Sequence, residues 1–500
     1  MTVRLCVRRA LGLTFFCTLC FAAEAPEPRL LDFNIVAVNG QGQPVNDLGS
    51  SDFEVTDAGK RRNIVLFRHD GGELRQPEAL APNEYSNRRG NPTRVTVVLF
   101  DLMNERFSTR GVTANQIVHD LQGIETSGNL YLYFLTLEGR LFAVHGFSQP
   151  EQSSPGQEPW TKQIKPLMDA ALRAVLRTRP VDIDVAVRVQ LTLNALDSLA
   201  AQLAMFPGRK NVVWVTDGIP IELGPARSDT GDFVDFTPQL RQLSEAFDRS
   251  GAAIYPVQQI MLGSPDAMGG GSGIGSHMTL DELAGLTGGR PTGSKDVGAA
   301  VRQAMNDARG SYQIGYYPPA GNWDGKFHKL KITSKRKNVR LQARTGYYAW
   351  PEEAGARAER AVDAAINSPF DDGEIGIRGA LIRDADNPQK GHLTLHIDAH
   401  DVGFAQDGDR YLGQLRLDLI TAEASGKIVN SKIVPLDVHY TAAERDKALQ
   451  AGIGIAQDVT LATEVTTLRF IAFDRNSNSL GSLTIPLRAS AAAGASAASH

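Results

Sequence analysis

Two short apolar runs, each ending in an aspartate, constrain the fold of this chain more than any other feature. The first, TRVTVVLFDLMNERF, spans residues 93–107 and contains Asp101, and the second, PGRKNVVWVTDGI, spans residues 207–219 and contains Asp217. Continuous β-branched runs of this length are typical of strands buried on both faces, as in a parallel sheet covered by helices. Ligands of such sheets bind beyond the carboxyl ends of the strands. We therefore expect both aspartates to lie at one rim and to mark a site.

The turn after the first run resembles the cation-binding turn of the von Willebrand factor A family. That family binds a divalent cation through an Asp-x-Ser-x-Ser turn, a threonine on a later loop and an aspartate that precedes a glycine. Here the turn reads DLMNE from Asp101 to Glu105, so that Met103 and Glu105 stand at the serine positions. Asp217, which precedes a glycine, matches the last element. The resemblance implies an A domain with a degenerate metal-ion-dependent adhesion site.

The candidate site residues are the oxygen-bearing side chains of this rim. Hard cations such as Mg²⁺ prefer oxygen ligands in a near-octahedral array, and a thioether such as that of Met103 is a poor substitute. The partner-binding rim and the candidate metal ligands are Asp101, Asn104, Glu105 and Asp217. The sequence establishes no cofactor, and Mg²⁺ or Mn²⁺ held by the two aspartates is what the resemblance would allow. The alternative is structural, with Asp101 capping the next helix and Asp217 in a turn.

Further phrases extend the resemblance over residues 29–350. PGRKNVVWVTDG, LAGLTGGR and GSYQIGYYPP are similar to phrases of a bacterial, notably acidobacterial, group of VWFA-related proteins. In that group a short β module precedes the A domain, and the resemblance implies the same order here.

Five hundred residues are too many for one hydrophobic core, so we expect several domains. The expected fold class is α/β, with a doubly wound, mostly parallel sheet, a small N-terminal β module and a C-terminal β-sandwich-like domain. Residues 312–317 are expected to close the parallel sheet. The predicted segments are a signal peptide (1–25), the β module (29–69), a linker (70–92), the A-like domain (93–320), a β extension (321–350), a C-terminal β-rich domain (351–488) and a disordered tail (489–500).

The amino-terminal residues have the pattern of a secretory signal peptide. Arg4, Arg8 and Arg9 precede an uncharged run at 10–23, and small residues follow it. The run is shorter than the ~20 residues of a comfortable membrane span; an uncleaved anchor is the alternative. All three cysteines lie in this segment, so the mature chain would contain neither disulfides nor thiolate nucleophiles. We expect export to the periplasm or beyond, with no membrane span in the mature chain.

The remaining composition and motifs exclude several classes of function. A formal net charge of −4 with 22% charged residues gives no indication of nucleic acid as a partner. The sequence contains no H-E-x-x-H, G-x-S-x-G or P-loop motif. His392, His396 and His400 alternate with apolar residues, as in a strand. Four residues of strand span ~13 Å, too far for one zinc ion with ligands at ~2 Å.

Three hypotheses for the function follow. The first is an exported, non-enzymatic protein that binds another protein, at the cell envelope, through the rim, in the manner of adhesion or assembly proteins. The second is an exported hydrolase or carbohydrate-active protein that uses carboxylates of the C-terminal β domain. The third is a purely structural envelope component. No oligomeric state is indicated.

Overall fold

The computed structural model describes most of the chain between Leu30 and Leu487. The described residues are 30–69, 80–81, 83–88, 94–124, 129–147, 159–176, 184–206, 208–220, 222–223, 234–258, 272–291, 296–319, 322–351, 356–368, 371–384, 386–387 and 389–487, with the backbone alone at 272–278 and 356–357. The predicted signal peptide, most of the predicted linker and the predicted tail lie outside these residues.

Helices and strands alternate in the first part of the described chain, and strands dominate the last part. The helices are α1 (Arg110–Gln122), α2 (Ile164–Val175), α3 (Val185–Leu203), α4 (Thr237–Arg249), α5 (Ser272–Thr287), α6 (Val297–Arg309), α7 (Ala356–Asn367) and α8 (Ala442–Ala451), with short 3-10 turns at Ser50–Asp52 and Trp160–Gln163. Within the described residues, no helix combines the length and the apolar character needed to cross a bilayer.

The strands of the first half are β1 (Leu31–Val38), β2 (Phe53–Asp57), β3 (Lys60–Arg62), β4 (Leu66–His69), β5 (Glu84–Ser86), β6 (Thr96–Asp101), β7 (Leu130–Leu135), β8 (Leu141–His145), β9 (Lys210–Thr216), β10 (Glu222–Leu223), β11 (Val234–Asp235) and β12 (Ala252–Gln258). Those of the second half are β13 (Ser311–Tyr316), β14 (Phe327–Ser334), β15 (Arg340–Ala343), β16 (Gly346–Tyr348), β17 (Ile377–Arg383), β18 (Lys390–Ile397), β19 (Ala405–Asp407), β20 (Arg410–Ala422), β21 (Ile428–Tyr440), β22 (Ile453–Thr460), β23 (Thr467–Asp474) and β24 (Leu480–Pro486).

The two apolar runs lie side by side in one mixed sheet. Its strand order is β12-β9-β6-β7-β8, and β6 pairs in parallel with both β7 and β9. The register joins Thr96 to Asn211 and Phe100 to Val215. β8 completes the predicted hairpin with β7 and is antiparallel. The predicted parallel adjacency of the two runs is therefore present.

Helices pack on both faces of this sheet, which explains why its strands are apolar without alternation. Val97 and Leu99 face a core to which α3, α4 and α5 contribute. Val98 and Phe100 face a second core formed with α1, α2 and α6. Each such side chain, once fully buried, contributes ~1.5–3 kcal/mol to the free energy of unfolding.

A second unit contains strands that precede the mixed sheet in the chain (β1 to β4) and strands that follow it (β13 to β16). The antiparallel sheets β15-β1-β13-β4 and β16-β14-β2-β3 share a core that includes Phe33, Phe53 and Tyr312. The prediction that residues 312–317 close the parallel sheet is wrong, because β13 pairs with β1 and β4 instead. The aromatic ring of Tyr312 packs 5.5 Å from that of Phe53, and the sequence of a buried strand does not specify which sheet it joins.

The C-terminal region is mostly β. The sheet β22-β18-β17-β5 and the sheet that contains β19, β20, β21, β23 and β24 are antiparallel and share one core, and α7 packs on the outer face of the second sheet. Glu84–Ser86, within the predicted linker, form β5 and pair with β17. A strand of three residues has no periodicity by which the sequence could reveal it.

One of the six sheets formed by the described residues contains parallel strands, and the others are antiparallel. The protein is a mixed α/β structure with a mostly β C-terminal region. His392 and His396 lie in a strand, as their spacing predicts, and on the exposed side of β18.

Candidate functional site

The predicted rim lies at the carboxyl ends of β6 and β9. Asp101 is the last residue of β6, and Asp217 directly follows β9. Because the two strands are parallel neighbours, both residues emerge at the same edge of the sheet. Backbone N–H of Glu105 donates to the carbonyl of Asp101 at 3.1 Å, which closes the turn that leads towards α1.

Asp101 is fully buried and accepts hydrogen bonds from four donors. Backbone N–H of Asn104 donates to Oδ1 at 3.0 Å. Oδ2 accepts from Asn104 Nδ2 at 2.8 Å, Trp214 Nε1 at 3.2 Å and Thr216 Oγ1 at 2.8 Å. Burial raises the pKa of Asp101, and these hydrogen bonds oppose the shift. The carboxylate therefore joins the turn to the neighbouring strand.

Asn104 connects the same turn to helix α3. Its Nδ2 lies 2.8 Å from both Asp101 Oδ2 and Thr192 Oγ1. Thr192 is fully buried within α3. The Asn104 side chain thus fixes the position of the turn against a helix, and its amide nitrogen occupies space next to the aspartate.

Glu105 is a buried carboxylate with one unpaired oxygen. Its side chain is 2% exposed, Oε1 accepts a hydrogen bond from Thr113 Oγ1 at 2.7 Å, and Oε2 has no hydrogen-bond partner. Burial raises the pKa of Glu105, and the nearby charges of Asp217 and Asp101 add to the increase. The three acids therefore lie close enough to interact electrostatically.

The donor set does not fit a divalent cation. Met103, at the first serine position of the family turn, is 5% exposed and packs in the core under the sheet. Both carboxylate oxygens of Asp101 are engaged by protein donors, and Asp217 Oδ2 lies 3.7 Å from Arg106 Nε. Among the described residues, no group of three or more His, Cys, Asp or Glu side chains is arranged to hold a metal ion. The rim is therefore organised by hydrogen bonds and by an arginine.

The outer surface of this rim is cationic and apolar. Phe107 is 76% exposed and Val112 is 71% exposed. The Arg106 side chain is 43% exposed, and the Arg110 guanidinium carbon lies 5.8 Å from the centre of the Phe107 ring. Arg110 Nε donates to the carbonyl of Glu105 at 3.2 Å. The buried acids thus hold a loop that presents Arg106 and the Phe107 ring to solvent, with the half-buried Arg110 beside that ring.

Several residues of this site are not predicted by the sequence. Trp214 and Thr216 lie two residues apart and so on the same face of β9, and this spacing is a signal that could have indicated them as partners of Asp101. Thr192 is 88 residues from Asn104 and carries no such signal. Phe107 lies six residues after Asp101 in the same segment, but its exposure is a property of the folded loop.

Comparison with known proteins gives weak similarities. No protein-family model and no curated protein match the chain. One similar solved structure is the pilus adhesin SpaC from Lactobacillus rhamnosus GG, with 10% identity, a TM-score of 0.28, and coverage of 88% of this chain and 58% of the adhesin. Another is the manganese-loaded TRAP protein of Plasmodium vivax, with 14% identity, a TM-score of 0.25, and coverage of 52% of this chain and 96% of that protein. The chain spans little more than half the length of the adhesin.

Proposed function

We propose that the protein is an exported, non-enzymatic interaction protein, and that residues 93–320 contain a von Willebrand factor A-like domain. It binds another protein, at the cell envelope, through the rim at the ends of β6 and β9. The observation that carries this proposal is Phe107, whose side chain is 76% exposed directly beside the buried acids of the site.

The chemistry of the exposed loop suits a protein partner. Energetically dominant interface residues are enriched in aromatic residues and arginine, and here Phe107 lies between Arg106 and Arg110 in the sequence. Burial of a phenylalanine side chain on binding contributes ~1.5–3 kcal/mol. The internal hydrogen bonds of Asp101 and Asn104 hold the loop in place, so little ordering is required on binding.

Binding at this rim does not depend on a divalent cation. The guanidinium of Arg106 lies beside Asp217 and supplies positive charge where the A-domain family uses a metal. A partner carboxylate can pair with this arginine directly. Magnesium and manganese are therefore dispensable for the interaction.

A capture experiment tests both parts of this proposal. The purified chain, Phe107→Ser and the matched control Ile433→Ser are immobilised and exposed to envelope extract, with Mg²⁺ or with EDTA. Ile433 is a suitable control because it is 57% exposed on β21, far along the chain from the rim. We expect the wild type and the control to retain the same partner in both buffers, and Phe107→Ser to lose it. Failure to retain any specific partner, or equal retention by all three proteins, would overturn the proposal.

The hydrolase alternative depends on a carboxylate pair in the C-terminal region. Asp372 and Glu374 form such a pair. Burial raises the pKa of Asp372, and the negative charge of Glu374 raises it further. Glu374 is engaged by Lys210 Nζ at 3.0 Å, and the cavity beside it measures about 40 Å³. This space suits about one water molecule, at ~30 Å³ each, rather than a sugar, so we favour the interaction function.

A further inference from the structure

A second surface with a distinct chemistry lies on the sheet β16-β14-β2-β3. The sequence from Lys326 to Arg344 contains eight basic residues and no acidic residue, although the whole chain has a formal net charge of −4. Arg336 and Arg344 are paired with Asp47 and Asp248, whereas Lys329 and Lys331 lie exposed on β14. Neighbouring exposed cations of this kind attract polyanions.

The register of the strands aligns these charges on one exposed face. Lys331 lies opposite Thr56, and Thr56 lies opposite Arg61, so these side chains form a row across three strands. Lys329 is exposed on the same side of β14, ~7 Å along the strand. In the part of the chain that the structure describes, neither lysine forms an ion pair, whereas Arg61 lies 3.7 Å from Glu54.

Aromatic rings form one end of this face. The rings of Phe327 and Tyr348 are 5.1 Å apart, and those of Tyr348 and Trp350 are 6.2 Å apart and nearly parallel. Phe327 is 42% exposed and Trp350 is 41% exposed. Exposed, neighbouring rings of this kind offer flat apolar surfaces on which a ring of a ligand can stack.

A cleft of about 310 Å³ opens beside these rings, between α4 and the sheet. Its lining includes Tyr348, Trp350, Glu245 and Arg344. Arg344 Nη1 lies 2.6 Å from Asp248 Oδ2, also in the lining, so the polar groups are held in place. Pockets for small organic groups measure ~300–1,000 Å³, and this cleft is therefore large enough for one sugar ring, whose hydroxyls can donate to carboxylates and accept from guanidinium groups.

We propose that this surface binds an acidic polysaccharide. One sugar ring enters the cleft and stacks on the aromatic end, and the carboxylates of the following residues pair with Lys329, Lys331 and Arg61. Glu245 and Asp248 in the cleft can accept hydrogen bonds from the sugar hydroxyls, and the three arginines of the lining (Arg249, Arg344 and Arg360) attract the carboxylate of the entering sugar. This surface and the rim are built from different strands, so the proposal does not depend on the proposed function.

The test uses the purified full chain, with polygalacturonate as the probe and dextran as the neutral polymer. The variants are Lys329→Glu with Lys331→Glu, and Trp350→Ala. The matched control is Lys432→Glu with Lys447→Glu, which makes the same change of net charge at two exposed positions of the C-terminal region. Circular dichroism verifies that each variant is folded.

We expect polygalacturonate to bind more tightly than dextran, and its binding to weaken as NaCl is raised from about 0.05 M to about 0.5 M. Both test variants should lose at least about tenfold in affinity, and the control should stay within about twofold. Absence of polygalacturonate binding, or equal losses in test and control variants, would overturn the proposal. Binding to phosphatidylglycerol vesicles or to DNA without binding to polygalacturonate would also overturn it, by assigning the surface to a membrane or to nucleic acid.

Discussion

Trp214 donates its indole N–H to Asp101 Oδ2 at 3.2 Å, across the boundary between β9 and β6. Two segments more than a hundred residues apart in the chain therefore meet at one buried carboxylate, which also accepts hydrogen bonds from Asn104 and Thr216. The exposed loop that carries Phe107 begins from this fixed point. The rim is thus rigid at its base and apolar at its surface.

Replacement of Asp101 should destabilise the protein. Asp101→Ala leaves the buried donors of Trp214, Thr216 and Asn104 without an acceptor, and we expect the free energy of unfolding to fall by about 3 kcal/mol. Chemical denaturation followed by tryptophan fluorescence measures the change. Asp437→Ala, an exposed position on β21, is the control and should change it by less than about 0.5 kcal/mol. Equal effects of both substitutions would contradict the described geometry.

Replacement of Glu105 by glutamine should stabilise the protein. Glu105→Gln keeps an acceptor for the Thr113 hydroxyl. It removes a carboxyl group whose pKa is raised by burial and by the negative charges of Asp217 and Asp101. Because the pKa of Glu105 is higher in the folded protein than in the unfolded chain, the protonated carboxyl stabilises the fold below the unfolded-state pKa. This stabilisation is lost as the pH rises through the folded-state pKa. We expect Glu105→Gln to stabilise the protein by about 1 kcal/mol at pH 8 and by less at pH 4. Denaturation curves at the two pH values measure it, and destabilisation at pH 8 would contradict the account.

Asp474 should make stability depend on pH. It is fully buried, and burial raises its pKa to about 6. The folded protein therefore keeps this proton up to about pH 6, whereas the unfolded chain releases it near pH 3.9. We expect the contribution of this group, about 3 kcal/mol, to be present below pH 4 and lost by pH 6 to 7.

The pH dependence of the free energy of unfolding measures this effect. Asp474→Asn should flatten the curve between pH 4 and pH 7, and the exposed control Asp409→Asn should leave it as in the wild type. Identical pH profiles for the wild type and Asp474→Asn would exclude Asp474 as the titrating group.

Gly289, within the phrase LAGLTGGR, should not tolerate a side chain. A Cβ atom at this position would overlap the backbone carbonyl of Ile254 on β12, whereas at Gly40 it would meet nothing within 4 Å. We expect Gly289→Ala to cost about 3 kcal/mol or more, and Gly40→Ala to be nearly neutral. Thermal unfolding of the two variants provides the comparison, and a neutral Gly289→Ala would show that the turn is not packed as described.

The sequence predicts those elements whose apolar residues follow a clear pattern. The apolar runs that end at Asp101 and Asp217 predicted two parallel neighbours, because uniform burial of a strand requires helices on both faces. It also predicted that Asp101, Asn104, Glu105 and Asp217 come from one rim. It did not indicate the role of Arg106 or the exposure of Phe107, since both depend on how the loop folds.

Other features depend on long-range pairing that no local pattern encodes. The sequence of β13 suits any buried sheet. In the structure β13 pairs with β1, and its Tyr312 ring packs against Phe53 of β2. The net charge of −4 gave no indication of a polyanion site. The run of basic residues from Lys326 to Arg344 is visible in the sequence, but Lys331 and Arg61 come into one row only through the pairing of β14 and β3 with β2.

The most direct test of the central claim is site-specific photo-crosslinking at the rim. A benzophenone amino acid is placed at position 107, or at position 433 as the control, and the protein is irradiated with envelope extract in EDTA. We expect position 107 to form a covalent adduct with one partner protein, and the adduct to disappear when Arg106→Glu is added. Adducts only from position 433, or none from position 107, would contradict the assignment of this rim as the interaction surface.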